Sequence, residues 1–281
     1  MTHLQVGIAL VTRNSMAFLN ETLASIEPHL SEASAIHVVD DFSDDDTEIA
    51  LSQWIRHVRT KGLDAHVRPS TSRARNLHTR TAQNFTQAAR TLRSMDLIAL
   101  ADHDDCWLPN RLTHQAATFA HHPYALMLAG NGNLMGDEMT LFDVFNVPKD
   151  LNNHPCEQIA RHVVRNSVAT GSASMIRSDL LRRPQGIPPQ GWLHDRWWSL
   201  VAASHCGLRV DQEPVIDYRV SLNQQVGLSR GRQATTGLSH LTAVRLSDVA
   251  RLRDVMALHQ HASEAAQGSF SPTAVFRSLI S

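Results

Sequence analysis

The chain has 281 residues, 42% hydrophobic and 19% charged, with a formal net charge of −1 and a pI near 7.0. That is enough apolar material for one large core or two small ones, and it excludes a general attraction to nucleic acid or anionic lipid, so a polyanion must be recognised locally. Seventeen histidines turn the molecule markedly positive only below about pH 6.5. From the N-terminus, "LQVGIALV" (4–11) reads as a strand and residues 15–30 as a helix capped by Asn14 or Ser15. "AIHVV" (35–39) is the next strand, followed by a helix over 46–62 with Ile49, Trp54, Ile55 and Val58 near helical spacing and Gly62 after its end. "DAHVR" (64–68) is a third, short strand, residues 80–95 are a helix, and "LIALA" (97–101) is a fourth strand.

Alternation of this kind predicts an α/β fold with a mainly parallel sheet covered on both faces. Ligands of such sheets bind beyond the carboxyl ends of the strands. Those ends carry "TRN" (12–14), "DDFSDDD" (40–46) and "DHDD" (102–105). After residue 130 the pattern is less regular. Residues 168–181 read as a strand entering a short helix capped by Ser178, 182–191 as a Pro/Gly-rich loop, 193–207 as a helix ended by Gly207, and 208–220 as a strand. The tail over 239–262 has helical apolar spacing interleaved with Arg245, Arg251 and Arg253. It could pack on the rest of the chain, dimerise or lie on an anionic membrane surface.

Cys106, Cys156 and Cys206 lie fifty residues apart, form no CxxC pair and leave an odd thiol under any pairing, which fits a reducing compartment. Cys106 has no evident base partner and reads as a small buried apolar residue. The N-terminal run has neither the basic flank nor the apolar length of a signal peptide, and no window reaches the roughly 20 apolar residues of a membrane span. The expected location is the cytoplasm, with the inner face of the membrane as the place the basic tail would favour.

The acidic clusters raise a question of energy. Like charges about 4 Å apart repel by roughly 4 kcal/mol at an effective dielectric near 20, so Asp102, Asp104 and Asp105 need either solvent or a cation. An all-oxygen set suits magnesium, manganese or calcium, and magnesium usually shares its shell with substrate phosphates. Alone, DxDD fits a solvated turn as well as a metal site, and Asp46 or Thr47 could simply face a helix N-terminus.

The order of the motifs is more specific. "IHVVDDFSDDDT", "AQNF", "LIALADHDDCWLPNRL", "GWLHDRWW" and "DYRVSLNQQVG" together resemble the family 2 glycosyltransferases of the GT-A fold, most closely their bacterial rhamnosyltransferase-like branch, over roughly residues 4 to 227. The resemblance implies a GT-A domain over 1–230, with a nucleotide-binding half (1–105) and an acceptor half (106–230), and a C-terminal helical extension (231–281). It implies that Thr12 and Asn14 help hold base and ribose, that Asp40 or Asp41 accepts from a uracil or thymine imide, and that Asn84 lies near the donor. Asp102 and Asp104 match the DxD element that meets the ribose and a Mn2+ or Mg2+ ion on the diphosphate. Asp105 lies at the sugar, and Asp195 matches the catalytic base. Gly171, Trp192 and His194 fall on the acceptor side. Partners are then a nucleotide-diphosphate sugar and a glycan, lipid-linked or other hydroxyl acceptor, and the activity an inverting transfer in bacterial surface glycan synthesis.

Several positions depart from the pattern. Arg13 stands where the family has Tyr, Arg111 replaces a lysine, Ser221 a histidine and Gln224 an asparagine. Other readings remain open beside the resemblance. Asp195 could be a first-turn helix carboxylate, and His194 could orient it or lie at the surface. Trp107, Trp197 and Trp198 suit core packing, whereas Trp192 could line an acceptor groove. Gly171 could serve a tight turn, and Arg73, Arg75 and Arg80 either meet the diphosphate or form a solvated loop. His121 and His122 mark a helix end. Two rival functions also remain. A phosphohydrolase with an aspartyl nucleophile would want a lysine, and the chain has only Lys61 and Lys149. A non-catalytic nucleotide- or glycan-binding module would explain Ser221.

Overall fold

The first four β-rich runs become parallel neighbours in a computed structural model that describes residues 4–220. They are β1 (Val6–Thr12), β2 (Ala35–Asp40), β3 (Asp64–Pro69) and β4 (Leu97–Asp102). Their register sets Thr12 beside Asp40 and Val11 beside Asp102, so the polar carboxyl ends converge on one edge of the sheet. Helices α1 (Leu19–Ile26), α2 (Thr47–Thr60) and α3 (Leu77–Thr91) connect them. Every residue of β1 is buried, as expected of a strand covered on both faces. Alternate side chains feed two cores: Ala9 and Val11 pack with Phe85 and Ala88, while Ile8 and Leu10 pack with Leu19, Leu23 and Leu51.

Beyond β4 the sheet becomes mixed. A short β5 (Cys106–Trp107) leads into α4 (Arg111–His121) and β6 (Met127–Leu134). Then follow α5 (Leu141–Phe145), α6 (Cys156–Arg165), β7 (Met175–Arg177), α7 (Asp179–Arg182), α8 (His194–Ser204) and β8 (Leu208–Tyr218). The strand order is β3-β2-β1-β4-β7-β6-β8-β5. β7 runs antiparallel to both β4 and β6, and β5 antiparallel to β8. The expected parallel arrangement therefore holds for the first four strands and gives way beyond β4.

Local expectations are corrected at three helix ends. α1 begins at Leu19, and neither Asn14 nor Ser15 caps it, because both tie the end of β1 to the loop after β2. Asn14 Oδ1 accepts from Asp44 N at 2.9 Å, and Ser15 N donates to Thr47 Oγ1 at 2.7 Å. Ile49 is 59% exposed, and the buried stripe of α2 runs through Thr47, Leu51, Ile55 and Val58. Ser178 precedes α7 in helical conformation without a side-chain cap, and Cys206 (φ 56) takes the left-handed turn after α8 that was expected of Gly207. Cys156 and Cys206 form a disulfide, which removes the support the cysteines gave to a reducing compartment. Their fifty-residue spacing is closed because α6 packs along α8. Cys106 is the remaining thiol, half-buried on β5, where burial raises its pKa.

Among the described residues no helix is long and apolar enough to cross a membrane. Ser221, Gln224, the 231–281 extension and the helix expected over 239–262 lie outside the described residues.

Candidate active site

The edge formed by β1, β2 and β4 holds most of the predicted residues. Thr12 Oγ1 donates to Asp40 Oδ1 (2.9 Å), and Ser43 donates to Asp40 from its hydroxyl (2.6 Å) and its backbone N (2.9 Å). Asp40 is thereby committed to holding its own loop. Asp41 differs: Arg13 Nη1 and Arg80 Nε approach its Oδ2 at 3.3 and 2.9 Å, while Oδ1 is buried without a hydrogen-bond partner. Of the two carboxylates, Asp41 keeps an unused acceptor, and a buried acceptor left unused is costly until a donor arrives. Arg80, read as either a diphosphate contact or part of a solvated loop, pairs with Asp41. Arg73 lies over the Phe42 ring at 5.0 Å, and Arg75 is exposed.

Asn84 is buried on α3 and accepts from Ser70 Oγ at 2.5 Å, while Ser70 N donates to Asp40 O at 2.8 Å. Asn84 thus fixes the loop after β3 from behind. Asn14, exposed and at φ 47, bridges the β1 and β2 loops.

The acidic cluster follows directly from the end of β4. Burial, then the charges of Asp104, Asp105 and Asp195, raise the pKa of Asp102 well above the usual carboxylate range. Asp105 is 1% exposed. Its Oδ1 accepts from Arg219 N at 2.8 Å, and Oδ2 is buried without a partner. Burial and the Asp104 charge push it up to about 7 against the pull of Ser172, the Arg219 N–H and Arg111. Behind it Arg111 is fully buried, stacked 4.0 Å over Trp107 and donating to Leu100 O at 2.9 Å; burial pushes its pKa down to about 9. Arg111 keeps the positive charge expected at that position and places it against the floor of the acidic cluster.

Asp195 stands in the first turn of α8. Its Oδ2 accepts from Gly171 N at 3.0 Å and its Oδ1 from Arg196 N at 2.6 Å, and burial raises its pKa to about 6. Its charge acts on Asp102, so the two carboxylates lie within electrostatic reach of each other. Gly171 is required by contact: a Cβ there would lie 2.4 Å from His194 Nε2. The surface alternative for His194 is overturned. Its ring stacks on Phe85 at 3.8 Å, lies edge-on to Trp198 at 5.3 Å, and burial lowers its pKa to about 3, which keeps it neutral. Trp192 is also corrected: 6% exposed and edge-on to Trp197 at 5.3 Å, it packs in the core and offers no open platform. Trp107, Trp197 and Trp198 are buried as packing residues.

One contributor was not singled out from the sequence. Arg219 holds Asp105 through its backbone, donates from Nε to Asp104 O at 2.9 Å, pairs with Glu21, and lies 4.5 Å over the Phe18 ring. The arginine of the "DYR" element was its only signal.

The model of the family described as glycosyl transferase family 2 matches residues 8–182. Among solved structures, S. aureus TarS 1-349 in complex with UDP matches at TM-score 0.60 and 14% identity, covering 98% of this chain and 69% of that one. Mannosyltransferase PcManGT from Pyrobaculum calidifontis, in complex with GDP-Man and Mn2+, gives 0.57 at 16% identity over 100% and 69%. Glucosyl-3-phosphoglycerate synthase from Mycobacterium tuberculosis, with Mn2+, UDP and glucosyl-3-phosphoglycerate, gives 0.50 at 13% identity over 77% and 72%. At these identities the likeness is one of fold, which is the GT-A glycosyltransferase fold. No curated protein sequence matches the chain. With its family match spanning more than half of its length, from β1 through α7, the chain belongs to glycosyl transferase family 2.

Proposed function

We propose that this glycosyltransferase is an inverting, divalent-metal-dependent enzyme that moves a hexosyl group from a UDP- or dTDP-sugar to a hydroxyl acceptor in surface glycan synthesis, with Asp195 as the base. One observation carries the reading. A half-buried carboxylate, raised to about 6 and held by two backbone N–H groups, lies near enough to the Asp102–Asp104–Asp105 cluster for its charge to act on Asp102.

The donor side divides by chemistry. Asp41 Oδ1, an unpaired buried acceptor, suits the imide N–H of uracil or thymine. Asp102 and Asp104 suit a hard divalent cation: the crowded negative charge that raises Asp102 and Asp105 is relieved by positive charge, and the orphaned Asp105 Oδ2 is a further oxygen at hand. Among the described residues no preformed group of three or more His, Cys, Asp or Glu is arranged around a metal, so such an ion would complete its shell with diphosphate oxygens. When bound, it supplies electrostatic neutralisation of the departing nucleoside diphosphate. The Mn2+ in the PcManGT and glucosyl-3-phosphoglycerate synthase complexes and the UDP in the TarS complex support these assignments.

Asp195, ionised above pH 6, takes the proton of the acceptor hydroxyl as that oxygen bonds to the anomeric carbon and the carbon–diphosphate bond breaks on the opposite face. Proton transfer of this kind contributes about 10² to 10⁴ in rate. The N–H groups of Gly171 and Arg196 fix the carboxylate plane, so the base is oriented before substrate arrives. Calorimetry with UDP, dTDP and GDP, each with manganese, tests the donor side: binding of the first two is expected, and folded protein that binds none of the three refutes it.

A further inference from the structure

α6 lies antiparallel along α8 and is fixed to it at both ends. Cys156, its first residue, bonds to Cys206 just after α8, with Cα atoms 5.2 Å apart. At the other end Arg196 Nη2, one residue from Asp195, donates to Val164 O at 3.0 Å. The segment closed by the disulfide contains both Gly171 and Asp195, whereas Thr12, Asp41 and Arg80 lie outside it. A loosened α6 therefore disturbs the base and spares the nucleotide side.

The bond is also placed to open. Cys206 is exposed and holds φ 56, a left-handed conformation strained for a residue with a Cβ. Cys156 is half-buried at the N-terminus of a ten-residue helix, whose partial positive charge stabilises a departing thiolate. A cavity of about 130 Å³ beside the bond is lined by Asn152, His154 and Arg209, so an approaching thiolate meets a guanidinium.

We propose that Cys156–Cys206 is a thiol-exchange site at which a low-molecular-weight dithiol resets the position of Asp195, leaving the oxidised enzyme fast and the reduced enzyme slow. A thiolate of the dithiol attacks Cys206 Sγ, forming a mixed disulfide and expelling Cys156 as thiolate, which takes a proton from water. The second thiol of the reagent loses its proton and attacks the reagent's own sulfur in the mixed disulfide. The reagent closes to a cyclic disulfide, Cys206 leaves as thiolate, and two electrons pass from dithiol to protein.

The rate arm of the test rests on the transferase reading; the thiol and exchange arms do not. Denatured untreated protein is expected to show one reactive thiol, Cys106, and three after dithiothreitol. Reduction should cut nucleoside diphosphate release about tenfold or more, as misplacement of a catalytic group does, with UDP affinity in manganese changed less than about twofold. Hydrogen exchange should quicken in α6 and the first turn of α8. Cys206→Ser should be slow without reductant and indifferent to it; if it does not fold, the reduced native protein supplies the same comparison. Three reactive thiols in untreated protein overturn the proposal, as do unchanged exchange or unchanged turnover in protein shown to be reduced. No turnover in either state, with exchange still redox-dependent, counts against the transferase reading alone.

Discussion

Asp195→Asn separates the chemical role of this side chain from what its burial does to stability. The native carboxyl is displaced from 3.8 to about 6, which at 1.36 kcal/mol per pH unit amounts to about 3 kcal/mol. The folded state therefore holds a proton that the unfolded chain releases, and the associated stability is present in full below pH 3.8 and lost as pH rises through about 6. Between pH 4.5 and 8 the wild type forfeits about 2 kcal/mol of that total through this group. Asparagine does not titrate, so it escapes the loss. It can accept only one of the two hydrogen bonds from Gly171 N and Arg196 N, leaving one N–H unpaired at about 1–3 kcal/mol. Urea unfolding at the two pH values should show the variant clearly less stable than wild type at pH 4.5 and closer to it, or above it, at pH 8, a swing of about 2 kcal/mol. At pH 8, where the wild-type carboxylate is ionised, transfer should fall by about 10² to 10⁴. A variant that keeps its turnover, or whose stability deficit is the same at both pH values, refutes the reasoning.

Initial rates of the wild type should fall about tenfold from pH 7 to pH 5, as the ionised fraction of a base titrating near 6 declines from about 91% to about 9%; a flat profile over that range removes Asp195 from the role. Arg111→Met leaves the carbonyls of Leu100 and Ser174 without their donor and should cost about 1–3 kcal/mol in urea unfolding, with Arg111→Lys milder. Gly171→Ala drives a Cβ to 2.4 Å from His194 Nε2 and should cost about 1–3 kcal/mol by thermal or urea melt, with kcat falling more than nucleotide affinity. Chelation with EDTA should weaken UDP binding about tenfold or more by calorimetry, since Asp102 and Asp104 would then face the diphosphate unshielded.

The first four strands were the more legible part of the chain, for a physical reason. Parallel strands buried on both faces show as unbroken apolar runs, and "GIALV", "AIHVV" and "LIALA" became β1, β2 and β4 at nearly the expected bounds. The chain after β4 hid its strands. β6 carries Gly130, Asn131, Gly132 and Asn133, residue types that disfavour strands, yet Gly130 has room only for hydrogen because Ala173 O would lie 2.4 Å from a Cβ. The disulfide was invisible because only the packing of α6 on α8 brings the two cysteines together. At the site the carboxylates were legible from their place after strands, but their partners were not: Arg80 on Asp41, Arg219 on Asp105 and Gly171 on Asp195 are contacts between distant segments. Trp192 and His194 misled because an aromatic ring in a loop or helix start carries no mark of which way it faces, and both turned into the core.

The central claim is that Asp195 performs transfer on a donor held by the aspartates at the ends of β2 and β4. Nucleoside diphosphate release from a panel of UDP-, dTDP- and GDP-sugars with manganese and a hydroxyl acceptor, read by mass spectrometry for wild type and Asp195→Asn, tests it most directly. The account predicts release from a UDP- or dTDP-sugar by the wild type, and loss of release in the variant with nucleotide affinity retained. Equal release by both proteins, or folded wild type that turns over no donor in the panel, contradicts it.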